Sequence, residues 1–392
     1  MARRRGALGL VLTILIGTGS ACSSTQTRGS ITSSPSGSST ASPGATTPPV
    51  PSPPLATGTP VPGYRVGPLS FISPARGFAL LEFDAKGSST SQQLVETEDG
   101  GLTWKAETST ALPTWAGTLV FTDSENGYAW GGQGLDVTHD GGQHWAFSLT
   151  FGGNGGAVSP IGKNVWALTS SGVLESTTDG GNTWNRALHP PVSGVLLTRV
   201  TTSVAYVLGC GPSVEHCSEE FLARTEDGGV TWQTRSLPQE ANGQGSADLV
   251  ALSADDLWLV QFGQPATNMS SKWVYRSNDG GAHWTLMASI YLGNHGQGTG
   301  HIIATGNAGP LSVLASAPNR AWLAEDRGGV LFTSDGGLDW QPAYNDPYAD
   351  AAGGPYASFL DVTHGWVAAD GLWRTTDGVL WTEIAPPPTG TY

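Results

Sequence analysis

One octapeptide governs what this chain can become. It reads TEDGGLTW from Thr97 to Trp104, and it returns as THDGGQHW (Thr138 to Trp145), TTDGGNTW (Thr177 to Trp184) and TEDGGVTW (Thr225 to Trp232). It returns again as SNDGGAHW (Ser277 to Trp284) and TSDGGLDW (Thr333 to Trp340), and a seventh copy, TTDGVLW (Thr375 to Trp381), is one residue shorter. The central aspartates are Asp99, Asp140, Asp179, Asp227, Asp279, Asp335 and Asp377, at successive intervals of 41, 39, 48, 52, 56 and 42 residues. A period of that size means one supersecondary unit repeated, as in the blades of a propeller.

The residue types explain the spacing. Asp-Gly is hairpin-turn chemistry, because Gly reaches positive φ without steric cost and Asp can accept from nearby backbone N–H groups. The Ser or Thr two residues earlier is a second partner for the same turn. The closing Trp104, Trp145, Trp184, Trp232, Trp284, Trp340 and Trp381 can each fold an indole over the turn and bury a large apolar area. Seven equivalent carboxylates cannot share one site. They are therefore read as structural, since site chemistry is local on a fold.

A second mark precedes every copy: Phe78-Ala79, Tyr128-Ala129, Trp166-Ala167, Tyr206-Val207, Trp258-Leu259, Trp322-Leu323 and Trp366-Val367. Short apolar runs and polar turns come before these pairs. Each unit thus reads as apolar strand, turn, aromatic strand, loop, strand, Asp-Gly turn, Trp strand. Short strands at even spacing without helical periodicity argue for an all-β, seven-bladed β-propeller of four-stranded antiparallel blades over residues 63–392. The Asp-Gly turn barely varies in length. From strand aromatic to Asp the separation runs from 11 to 21 residues, and from Asp to the next aromatic from 26 to 43. Length variation therefore falls in the second-to-third-strand loops and in the blade-to-blade passages. In an up-and-down blade both leave by one face, which is taken as the recognition face.

Insertions on that face supply the candidate binding residues. Tyr291 to Pro310 contributes His295 and His301; Ala343 to Tyr356 contributes Tyr344, Asp346, Tyr348 and Asp350; neighbouring loops add Glu325, Asp326, Arg327 and Asp370. Tyrosines, carboxylates and histidines on one rim suit a sugar, peptide or cation. A merely solvated acidic rim is the competing reading. No metal site or cofactor is assigned, because loop histidines are ligands only where spacing and a third ligand support it, and the sequence does not supply that check. Phe262 to Lys272 is a further insertion, and Cys210 to Glu220 holds Cys210 and Cys217, for which a disulfide or, less well supported, a metal pair can be read.

The front of the chain reads as an export signal (1–22) followed by a disordered Ser/Thr/Pro-rich tether (23–62). Arg3 to Arg5 form the charged start, and Ala7 to Thr18 an apolar run shorter than the roughly 20 residues that span a bilayer. Gly19-Ser20-Ala21-Cys22 resembles a bacterial lipobox. That resemblance implies cleavage before Cys22, a lipid on its sulfur, and anchorage on the outer side of the cytoplasmic membrane. The formal charge is −14, becoming −17 once the three signal arginines are gone, which argues against nucleic acid. A monomer contacting an envelope protein or a glycan is expected.

The repeated octapeptide resembles the Asp-box (BNR-like) motif, known also from sialidases. Paired with aromatic strands such as ENGYAWG, and best in FLDVTHGWVAADGLWRTTDG (Phe359 to Gly378), it resembles the photosystem II assembly and stability factor family. That resemblance implies a seven-bladed fold and an assembly or binding role. Resemblance to sialidases would instead imply a glycoside hydrolase with an arginine triad and a Tyr–Glu pair. Here Tyr64-Arg65-Val66-Gly67-Pro68 matches the sialidase Arg-Ile-Pro pattern only with Gly inserted, and Arg224, Arg276 and Arg374 recur at one repeat position. Xyloglucanase-like hydrolases share the blade motif but pair two propellers. The expectation is a non-enzymatic binding or assembly propeller, with a sialidase-like glycosidase as the alternative.

Overall fold

The computed structural model describes residues 64–83, 91–106, 112, 114–153, 155–186, 189–210, 220–238, 246–266, 269–292, 299–303, 305–343, 355–369 and 371–385. Within them the chain is all β, with twenty-eight strands in seven sheets, each built from four strands consecutive in sequence. Blade 5 is typical: Ala247–Ala251, Leu257–Phe262, Lys272–Ser277 and Thr285–Ile290 lie side by side, antiparallel. The signal and tether assigned to residues 1–62 lie outside the described residues.

Burial is graded from the axis outward. The second strands, such as Gly77–Phe83 and Leu257–Phe262, are buried almost throughout, so their sequences are continuous apolar runs rather than alternations. A sheet covered on both faces requires this. The fourth strands, such as Ala146–Thr150 and Gln233–Ser236, are largely exposed. Apolar packing is accordingly divided among seven clusters, most of them straddling two neighbouring blades. Trp258, Val274, Leu311, Leu323 and Trp340 join blades 5 and 6. Phe71, Trp104, Trp366 and Ile384 join blades 7 and 1.

The aromatic of each second strand is the reason the blades hold together. Phe78 stacks on Phe121 of blade 2 at 3.7 Å, Trp322 on Phe359 of blade 7 at 4.6 Å, and Trp366 on Phe71 of blade 1 at 3.6 Å. Where the ring is polar, it also donates forward. Tyr128 Oη reaches the Gly162 carbonyl (3.0 Å), Trp322 Nε1 that of Gly378 (2.7 Å), and Trp366 Nε1 that of Gly100 (2.9 Å). Backbone amides are tied in the same way: Phe121 N–H donates to Ser70 Oγ (2.9 Å) and Phe71 N–H to Ser358 Oγ (3.1 Å). The seam between blades 7 and 1 is therefore one more such joint. Each of those blades consists of its own four strands, so the ring closes without exchanging a strand.

Candidate recognition surface

The Asp-Gly turns come first, because their geometry decides whether their carboxylates are available. In blade 1, Thr97 Oγ1 donates to Asp99 Oδ1 (2.9 Å) and accepts the Gly101 amide (2.9 Å), while the Thr103 amide donates to Asp99 Oδ1 (2.8 Å). The same three bonds recur around Asp140, Asp179, Asp227 and Asp279, with distances between 2.6 and 3.2 Å. Gly100 and Gly101 sit at φ +76° and +92°, as the turn requires. The first Gly of the six full-length boxes also donates to a carbonyl in the blade's first hairpin, as Gly100 does to Ala75 (2.7 Å) and Gly336 to Asn319 (2.9 Å). This places both turns on one face. Trp104, Trp232 and Trp340 lay their Nε1–H on the second Gly carbonyl at 2.9 to 3.0 Å. The shortened copy still closes: Asp377 Oδ1 accepts the Val379 and Leu380 amides (2.9 and 2.8 Å).

Electrostatics follow from this geometry. The Thr231 hydroxyl and then its amide hold the Asp227 carboxyl down to about 2. Asp179 is lowered chiefly by the hydroxyls of Thr177 and Thr183, and Asp279 by the amide and ring of His283. Carboxylates so fully engaged by their own turn serve as turn locks.

Arg224, Arg276 and Arg374 are held at three separate joints. Arg224 reaches the Ala254 carbonyl of blade 5 (3.0 Å), and Arg276 lies over Trp258 (4.8 Å) and bonds Asn319 of blade 6 (2.8 Å). Arg374 reaches the Gly100 carbonyl of blade 1 (3.4 Å). These arginines are parts of the repeat, as their shared position before the box indicated.

On the opposite face the candidate residues separate. Glu325, Asp326 and Arg327 occupy one tight turn, with Arg327 at φ +55°. Glu325 proves to be a buried tie rather than an open rim carboxylate. It is 1% exposed, accepts the Thr305 hydroxyl on Oε2 (2.8 Å) and pairs with Lys272 Nζ (2.9 Å). Lys272, also buried, donates to the carbonyls of Ile303 (3.4 Å) and Thr305. Burial lowers its pKa although Glu325 pulls the other way. Gly306 and Gly328 have to be glycines here, because a Cβ on either would lie 2.5 to 2.8 Å from the Glu325 side chain. Asp326 Oδ2 accepts Asn307 Nδ2 (3.3 Å).

His301 is placed away from that turn. Its amide donates to Leu338 O (2.7 Å), its carbonyl accepts the Trp340 amide (2.8 Å), and its Nδ1 lies 2.8 Å from Asp339 Oδ1. These partners belong to the blade 6 box. The Tyr291 to Pro310 insertion therefore does not stay on the recognition face. Residues 299–303 run back along the outer strand of blade 5, where Ser289 donates to the Thr299 carbonyl (2.8 Å), and Ile302 enters the core between blades 5 and 6. His295, Tyr344, Asp346, Tyr348, Asp350 and Asp370 lie outside the described residues, as do Cys22 and Cys217. Cys210 is disulfide-bonded.

Sequence reasoning missed several polar groups that act between blades. Asp248 accepts the amides of Leu249 (2.8 Å) and, across the joint, Leu311 (2.9 Å), and its burial pushes its pKa up to about 7. Arg199 lies 4.4 Å over Trp166 and reaches back to the Ser159 carbonyl (3.0 Å) and Asn164 Oδ1 (2.6 Å); burial lowers its pKa to about 9. The available signal was a single charge inside an apolar strand, as in ADLVA or SKWVY.

Seven consecutive four-stranded blades with turn-locking Asp-boxes define a BNR-repeat propeller. Comparison with known proteins narrows that class. The family model described as photosynthesis system II assembly factor YCF48 matches residues 216–379. The photosystem II assembly lipoprotein Ycf48 of Synechococcus sp. (strain CC9902) is 25% identical over 311 residues, covering 77% of this chain and 81% of the relative. The Nostoc sp. protein of the same name (strain PCC 7120 / SAG 25.82 / UTEX 2576) is 25% identical over 225 residues, and that match spans about half of each protein, 56%. Among solved structures, YCF48 bound to D1 peptide superposes with a TM-score of 0.52 at 18% identity, covering 83% of this chain and 95% of that one. YCF48 from Cyanidioschyzon merolae gives 0.55 at 14% identity, covering 81% and 97%. The chain is thus a Ycf48-like BNR-repeat propeller.

Proposed function

We propose that this chain is an exported, lipid-anchored, non-enzymatic propeller that holds another envelope protein on the face opposite its Asp-boxes. The observation that carries this reading is the allocation of charged groups. Box carboxylates are consumed by their own turns, and the repeat arginines by three separate joints. Length variation is concentrated on the other side. The printed names of the relatives, assembly lipoproteins with one structure bound to a peptide, support a protein partner and a lipid anchor. On this reading Cys22 carries the lipid, residues 23–62 tether the ring, Cys210 bridges to Cys217, and the propeller acts as a monomer.

The test is capture of the full lipidated chain from its own envelope after cross-linking, with variants on each face. One defined protein should be recovered. Its recovery should fall for Asp326→Lys on the varied face and persist for Leu102→Ala on the box face. Turnover of a fluorogenic sialoside, or the reverse dependence on the two faces, would overturn the reading.

A further inference from the structure

On the varied face, where the passage from blade 1 meets the second-to-third-strand hairpin of blade 2, lie side chains that the joints of the ring do not use. The hairpin from Gly131 to Gly134 is closed by the Gly131 amide on the Gly134 carbonyl (3.2 Å). On one side these glycines are hemmed in. A Cβ on Gly131 would lie 2.0 Å from the Trp115 carbonyl, and one on Gly134 would lie 2.6 Å from the Phe147 ring. Asp136 is two residues further along the strand, so its side chain leaves on that same side, and it stands directly across the ladder from Phe147.

Asp136 is wholly buried. Its Oδ2 accepts the amide and hydroxyl of Thr114 (2.9 and 2.7 Å), whereas Oδ1 has no hydrogen-bond partner among the described residues. A buried acceptor left unpaired in a native protein calls for a donor from elsewhere. Two aromatic residues adjoin it through the backbone, Phe147 across the ladder and Trp115 next to Thr114, and both are exposed: Phe147 is 48% exposed, and Trp115, at 39%, is the single exposed tryptophan among the described residues. Trp115 is carried on fixed backbone. Gln92 of blade 1 clamps the next residue, Ala116, by both its carbonyl and its amide (2.6 and 2.8 Å), and Asp136 holds the preceding Thr114.

Two exposed aromatic rings on a rigid backbone, next to a buried oxygen that lacks a donor, match the chemistry of a pyranose. Its CH faces lie on the rings and a hydroxyl donates to the acid. A ligand cation would also suit the rings. Burial raises the pKa of Asp136 against the lowering bonds from Thr114, and bringing an ammonium group to so enclosed an oxygen would desolvate both charges, so a neutral hydroxyl is the better-matched donor.

We propose that this face of blade 2 is a saccharide-binding site for a neutral oligosaccharide, with Trp115 and Phe147 as the stacking platform and Asp136 Oδ1 as acceptor of a sugar hydroxyl. That oxygen is closed off from solvent, so binding includes a side-chain movement that admits the hydroxyl, assigned to Phe147 as the partly exposed residue opposite Asp136 on the ladder. The site lies on the same varied face as the proposed protein-binding surface, at blade 2, and shares no residue with the Asp326 turn through which that reading is tested.

The test titrates the full chain with cellohexaose, maltohexaose, mannohexaose and chitohexaose, by calorimetry and tryptophan fluorescence. At least one should bind and alter the indole emission. Trp115→Ala and Phe147→Ala should each weaken it by about tenfold, with the melting temperature of Trp115→Ala unchanged because the ring is exposed. Asp136→Asn should also weaken binding, and the two aromatic variants decide the matter if that one fails to fold. The proposal is overturned if no hexasaccharide binds, or if both aromatic variants bind like the parent. It is equally overturned if a proline-rich decapeptide, rather than any sugar, shows the dependence on Trp115.

Discussion

Two kinds of aspartate in this molecule answer to pH in opposite directions. The box carboxylates are held below their ordinary value, so their contribution is present above about pH 4 and is lost as pH falls through their folded values, about 2 for Asp227. Asp248 is raised to about 7 by burial. It is protonated in the fold but ionised in the unfolded chain between about pH 4 and 7. Its contribution is therefore full below about pH 4, falls as pH rises toward 7, and is level beyond that. Urea unfolding at several pH values should show Asp248→Asn removing a negative slope on the order of 1 kcal/mol per pH unit across that window. A difference curve that is flat from pH 4 to 7 would sink this assignment. Thr97 makes a second residue-scale case. Its hydroxyl serves Asp99 and the buried Gly101 amide at once. Thr97→Val should cost about 1–3 kcal/mol, read as a lowered denaturation midpoint.

Elements meet through the second-strand aromatics and through the strap formed by residues 299–303 and 305–308, which touches both blades 5 and 6. Trp258 and Trp366 fill equivalent joints, one within the ring and one at its seam. Trp258→Ala and Trp366→Ala should therefore each cost about 3–5 kcal/mol in equilibrium unfolding, without the seam variant being markedly worse. At the strap, Lys272→Met alone strands a buried Glu325 carboxylate and should cost about 3–5 kcal/mol. Lys272→Met combined with Glu325→Leu should recover most of that in the same measurement, because no unpaired charge remains. These elements also show what could be read in advance. The box and the aromatic–small pair are local marks, so blade number, strand order and the position of each Asp-Gly turn were legible. Counting along the chain put His301 on the face where its insertion begins, but its partners, Leu338 to Trp340, belong to the next blade. Glu325 looked like a rim acid in a Gly-flanked turn because its counter-ion, Lys272, sits in another strand far back in sequence. Tertiary partners decided both positions, and no local pattern carries them.

At the scale of the whole molecule, packing is shared among joints that repeat the same few contacts instead of converging on one centre. Short-range punctuation therefore revealed the fold, whereas the recognition face remained harder to read. The box face is nearly the same in every unit, while the varied face is assembled from stretches with no common pattern. At the seam, Phe71 and Trp366 stack and Ser358 accepts across the gap, while blades 1 and 7 keep their own strands. That junction alone is spanned by no peptide bond, yet its contacts are those of the others, so the position of the backbone gap is physically arbitrary. A circular permutant that links residue 385 to residue 64 and opens the chain between blades 3 and 4 should fold to the same ring, melting within a few degrees of the parent, roughly the shift that about 1 kcal/mol produces.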